Sequence, residues 1–80
     1  MEEKLTFRYE QEADILYIDK RQPYSEQETE ELGDDILARL NPKTREIENL
    51  EVLFFSTRLM TKPLFEIPIM ANLRLVATQI

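Results

Sequence analysis

The 80 residues contain no cysteine, no histidine and no tryptophan, and only one glycine. Without cysteine there is neither a disulfide nor a thiolate metal site, and without histidine the other usual zinc ligand is gone. Ser25 and Ser56 have no histidine to activate them, so a serine triad is excluded. A single glycine cannot build a phosphate-cradling loop. Long apolar runs are missing as well: the longest, Val52 to Phe55, falls far short of the roughly 20 residues that span a bilayer. The start, Met1-Glu2-Glu3-Lys4, lacks the basic-then-apolar layout of a signal peptide. These absences predict a cytoplasmic chain with no cofactor and no membrane partner.

What is present is charge, mostly negative. Residues 1–40 carry a net charge of −7 and residues 41–80 carry +1, giving −6 overall. An acidic first half repels phosphates, so nucleic acid is not an expected partner. A basic protein is the partner that such a face would suit, although acidity by itself more often serves solubility. Eighty residues make one domain, 1–80, with a small core that self-association would enlarge.

Hydrophobic patterning places the elements. Leu5 to Glu10 alternates apolar and polar, Gln11 to Asp14 interrupts it, and Ile15 to Ile18 resumes with β-branched and aromatic residues: a hairpin. Arg21 to Asp35 is almost wholly polar and reads as a loop, or one frayed turn between Ser25 and Gly33, with a positive φ expected at Gly33. Ile36 to Leu40 and Glu46 to Phe55 read as a second hairpin around Asn41-Pro42-Lys43-Thr44-Arg45, with Arg45 where a left-handed residue is needed. Ser56 is expected to cap a helical turn up to Pro63. Leu64 to Ile69 alternates again, and Pro68 would hold it at a sheet edge. Residues 70–80 fit helix and strand equally. The expected fold is α+β, mostly β: an antiparallel meander of four to five strands, two hairpins plus an edge strand, with one short helix or helical turn.

Two segments then read together. Phe7-Arg8-Tyr9-Glu10-Gln11-Glu12-Ala13-Asp14-Ile15-Leu16-Tyr17-Ile18 resembles the Tyr, acid, x, Glu, Ala, Asp, x, Leu, Tyr, Ile signature of the DUF2283 family. Arg39 to Leu53 is similar to that family's second hairpin. The resemblance covers about residues 5–55. It implies a small antiparallel meander in a mostly bacterial family of uncharacterised proteins, and supplies no reaction or ligand. This chain has Arg45 and Asn49 where the family pattern favours glycine.

Candidate chemistry rests on carboxylates. Glu12, Asp14 and Asp19 are the residues that would hold magnesium or calcium, against the plainer reading that Asp14 caps its own hairpin turn. Glu51, flanked by Leu50 and Val52, is the candidate acid or base; pairing with Arg39 or Arg8, or solvation, is the favoured reading. Glu26, Glu28, Glu30, Glu31, Asp34 and Asp35 form a run with no intervening base, which suits a basic partner, a weak cation site or a solvated loop. Tyr9, Tyr17, Leu53, Phe54 and Phe55 put apolar area on both faces of one sheet, so either the C-terminal segment or a second chain must cover one of them. Association is the favoured reading, with Tyr17, Leu53, Phe54 and Phe55 as the interface of a homo-oligomer, most simply a dimer. The function expected is a small interaction or regulatory module acting by protein–protein binding, for instance by neutralising a basic protein. The alternative is a carboxylate-based small enzyme or a binder of a divalent cation or other ligand.

Overall fold

Among the described residues five strands and one helix follow in chain order: β1 (Thr6–Glu10), β2 (Ile15–Asp19), β3 (Glu28–Gly33), β4 (Ile36–Leu40), β5 (Ile47–Leu53) and α1 (Phe55–Thr61). In this computed structural model residues 4–61 and 66–75 are described. The strands form one sheet in the order β1-β2-β5-β4-β3, antiparallel at every contact. β5, the longest strand, runs between the two hairpins and joins them.

Alternation decides which face becomes the core. Ile36, Ala38 and Leu40 of β4 pair with Val52, Leu50 and Ile47 of β5, and Leu16 and Ile18 of β2 pair with Val52 and Leu50. All therefore point the same way. Ile36, Ala38, Leu40, Leu50 and Val52 are buried, and Ile18, Leu32, Ile47, Ile67 and Ile69 pack against this cluster. The segment around Ile67 and Ile69 thus lies across the core face.

The fifth strand is not the one that the alternation of Leu64 to Ile69 suggested. Residues 66–69 have no strand structure, and 64–65 lie outside the described residues. Residues 70–75 are irregular, neither helix nor strand, and 76–80 lie outside the described residues. The additional strand is β3, inside the segment that composition marked as loop. Its hairpin closes through Asp34 and Asp35, at φ 57° and 63°, with Gly33 at φ 89°. Positive φ at both central residues is the type I′ geometry whose twist matches paired strands. Glu31 pairs with Leu37 and Gly33 with Ile36, so Leu32 is the extra residue of a bulge.

The chain leaves β5 at Phe54, a bulky residue in the left-handed region at φ 55°. That corner stops the strand before Phe55 and turns the chain into α1. The helix begins one residue earlier than the expected cap, Ser56, which sits inside its first turn.

Arg45 adopts positive φ, 67°, as the loop pattern requires. Asn41 Oδ1 accepts the amides of Lys43 and Thr44, 2.8 and 3.1 Å, and the Asn41 carbonyl accepts the Arg45 amide at 2.9 Å. The Arg45 side chain meets Glu28 and Glu30 on β3. Replacing Arg45 by glycine removes roughly 1 kcal/mol of backbone strain, and it also removes two exposed ion pairs worth about 0–1 kcal/mol each. The expected result is a gain of a few tenths of a kcal/mol at low salt, rising towards about 1 kcal/mol in molar salt, where the ion pairs are screened. Urea denaturation at the two salt concentrations checks this; a loss of stability in high salt refutes it.

Candidate functional site

The two ends of the sheet are built differently. At one end the β1–β2 and β3–β4 turns meet the start of α1. Asp14, at φ 58°, organises this end. Its carbonyl accepts the Phe55 amide at 3.0 Å, and its carboxylate accepts the Ser56 amide at 3.0 Å, the Ser56 hydroxyl at 2.9 Å and the Tyr9 hydroxyl at 2.6 Å. The Tyr9 hydrogen bond, followed by the Ser56 amide, holds the Asp14 carboxyl below its usual range. Asp14 therefore caps a helix 42 residues away, rather than only its own hairpin. The Arg58 guanidinium completes the end by reaching Asp34 at 3.1 Å.

The other end holds a buried polar cluster. Arg39 pairs with Asn49 and Leu40 with Ile47, so Glu48 is the extra residue of a second bulge. A bulge re-aims its side chain out of the alternation. Glu48 and Asn49 are 7% and 2% exposed. Glu48 Oε1 accepts the Tyr24 hydroxyl at 2.7 Å and Gln27 Nε2 at 3.0 Å; Oε2 accepts Asn41 Nδ2 at 3.1 Å and an Arg21 guanidinium nitrogen at 3.4 Å. A carboxylate has about four lone-pair sites, and each is used. Burial alone pushes the Glu48 carboxyl up, but the donors Gln27, Tyr24 and Asn41 and the charge of Arg21 outweigh it, bringing it down to about 2. Asn49 donates to Asp19 at 2.8 Å and to the Arg21 carbonyl at 2.6 Å, and accepts from Gln27 at 2.8 Å. Residues 20–27, polar and without regular structure, are fastened to β5 by these bonds.

The carboxylates singled out from sequence fall in separate places. Asp14 and Asp19 stand at opposite ends of β2, and Glu12 is exposed in the β1–β2 turn. Among the described residues no group of three or more acidic side chains is arranged to hold a metal ion. Glu51 lies on the face away from the core and accepts Arg39 at 2.8 Å, one of the two arginines expected as its partner. Arg8 instead stacks over Tyr17, 4.1 Å from the ring centre.

The residues expected to put apolar area on both faces of the sheet lie on both sides of it. Tyr17 and Leu53 lie half-buried on the face away from the core. Phe55 packs on Tyr9, ring centres 5.9 Å apart, on the core side. Phe54 stands exposed at its corner. Most of the acidic run is on the sheet rather than in a loop: Glu28, Glu30 and Glu31 lie along β3 and Asp34 and Asp35 form its turn, while Glu26 stays in the turn before the strand.

A family model described as a protein of unknown function (DUF2283) matches residues 6–56. The match runs from the start of β1 to Ser56, the residue that Asp14 holds, and so contains the whole sheet and both polar ends apart from Arg58. No curated protein and no solved structure matches the chain. Among the described residues no helix is long and apolar enough to cross a membrane.

Proposed function

We propose that this chain, which belongs to the DUF2283 family, is a small acidic interaction and regulatory module that binds a basic protein surface along the β3 edge. One observation carries this reading: the strand with no large apolar residue except Leu32 is an outer strand of the sheet, and its acids are exposed. An edge strand offers backbone donors and acceptors, and its side chains set which partners approach. Here Glu26, Glu28, Glu30, Glu31, Asp34 and Asp35 outnumber the arginines beside them, Arg45 and Arg58. Such a rim speeds encounter with a basic partner and repels an acidic one. A reducing cytosolic setting and a bacterial source belong to the same proposal, supported by the lack of cysteine and the family resemblance.

The alternative, a carboxylate enzyme or cation binder, has less to draw on. Glu48 is saturated by donors and Glu51 is engaged by Arg39. Titrating the labelled protein with an arginine-rich peptide tests the proposal. Amide shifts are expected to concentrate on residues 28–33 and to fade as salt rises, and Glu30→Lys with Glu31→Lys should abolish them. Shifts spread evenly, or centred elsewhere, refute it. A strong thermal stabilisation by magnesium or calcium would favour the alternative.

A further inference from the structure

We propose that a second copy of this chain pairs with the first through β1, in one defined register centred on Phe7. The two outer strands of the sheet differ in kind. β3 carries Glu28, Glu30 and Glu31 and a bulge at Leu32, devices that keep copies apart. β1 has no proline, no bulge and no row of like charges. Every residue of β1 is exposed, and Leu5, Phe7 and Tyr9 stand on the core side at 47%, 61% and 44%. Among the described residues, 67–74 stand off from Leu5 and Phe7 across an open groove of about 740 Å³.

The register follows from symmetry and charge. Two copies of one strand pair antiparallel about a two-fold axis perpendicular to the sheet, which keeps core face beside core face. Only residues pointing the same way can then stand opposite each other. Centring the axis on Thr6 sets Lys4 against the partner's Arg8, and centring it on Arg8 sets two arginines together; both are repulsive. Centring it on Tyr9 runs the pairing into the β1–β2 turn at Gln11. Centring it on Phe7 sets Lys4 against the partner's Glu10 at both ends. Leu5 then meets the partner's Tyr9, and the two Phe7 rings meet in the middle. That register unites unlike charges on one face and an unbroken apolar stripe on the other. An edge pairing of this length is a small interface, so dimerisation is concentration-dependent. It stands apart from the basic-partner reading, which uses the opposite edge.

Sedimentation equilibrium from micromolar to near-millimolar protein tests this, with circular dichroism confirming that each exposed-site variant folds. The mass of the unaltered chain should rise from 9.5 kDa towards twice that value. Lys4→Glu and Glu10→Lys should each weaken self-association about tenfold or more. Mixing these two variants restores unlike charges at both ends, so two weakly associating proteins should form a heterodimer together. Amide exchange on the unaltered chain gives a second readout, since protection of residues 4–10 should increase with concentration. A monomeric mass throughout overturns the proposal. So do single reversals without effect, or a mixture that stays monomeric.

Discussion

Replacing Glu48 by alanine is expected to remove about 3 kcal/mol of stability, a large part of the roughly 4–12 kcal/mol that an 80-residue domain holds. The cause is the donors that the carboxylate leaves behind. Tyr24, Gln27, Asn41 and Arg21 all point at Glu48, and a buried donor without an acceptor costs about 1–3 kcal/mol, less where water enters. In a domain of this size the melting temperature should fall by roughly 15 °C. Glu48→Gln separates shape from charge. Its amide nitrogen must face two of the same donors, so it should recover only part of the loss.

The same residue sets an acid dependence. The folded Glu48 carboxyl, at about 2, lies below the unfolded value of 4.5, so its contribution is complete above pH 4.5 and disappears as pH falls towards 2. Full transfer over that interval corresponds to at most about 3 kcal/mol. Urea midpoints of the unaltered protein should therefore fall steeply between pH 4.5 and 2, and those of Glu48→Gln should fall less. A loss below about 1 kcal/mol for Glu48→Ala at pH 7 would show that water replaces the carboxylate without cost.

Strand periodicity marks Glu51 in the sequence and leaves Glu48 unmarked. Glu51 is flanked by Leu50 and Val52, so strand alternation identifies it, points it away from the core and supplies Arg39 across the strand. Glu48 lies between Ile47 and Asn49, and its direction depends on a bulge that no alternation encodes. Its donors arrive from residues 20–27 and Asn41, distant in sequence, with no hydrophobic signal to mark them.

The same distinction separates the legible strands from the hidden one. β1, β2, β4 and β5 carry large apolar residues at alternate positions, which β2, β4 and β5 bury or half-bury and β1 leaves exposed. β3 contains Glu28, Thr29, Glu30 and Glu31, and becomes a strand because apolar β4 beside it and the Asp34-Asp35 turn hold it in register. Type I′ turns usually announce themselves by a glycine at the second central position, and here that position is Asp35. Positive φ at Phe54 ends the alternation, so Phe55 crosses to the side of Tyr9 instead of joining Leu53 on the opposite face. Asp14 was legible as a cap, but its helix partner is a tertiary neighbour. The signature Tyr9 and Asp14 share is thus one hydrogen-bonded unit that joins the first hairpin to α1.

Asn49 allows two physical accounts to be set against each other. The family resemblance implies glycine at this position, and asparagine tolerates left-handed backbone, so a turn-based account makes Asn49→Gly neutral or stabilising. The structure gives another reason for asparagine. Asn49 lies within β5, is absent from the positive-φ residues of the described chain, and makes three side-chain hydrogen bonds, to Asp19, Gln27 and the Arg21 carbonyl. Removing that side chain leaves those groups to find other partners at a site 2% exposed, and adds the entropy cost of glycine in a strand. Asn49→Gly should then lose about 2–3 kcal/mol in urea denaturation at pH 7. Asn49→Asp gives a check of opposite sign in pH. It brings a second carboxylate against Asp19 and turns an oxygen towards the Arg21 carbonyl, so it should be the less stable variant at pH 7. Its deficit should shrink towards pH 5 as the new carboxyl takes up a proton, whereas loss of the Glu48 contribution begins only below that range. Equal stability of Asn49→Gly and the unaltered chain would return the position to the turn-based account.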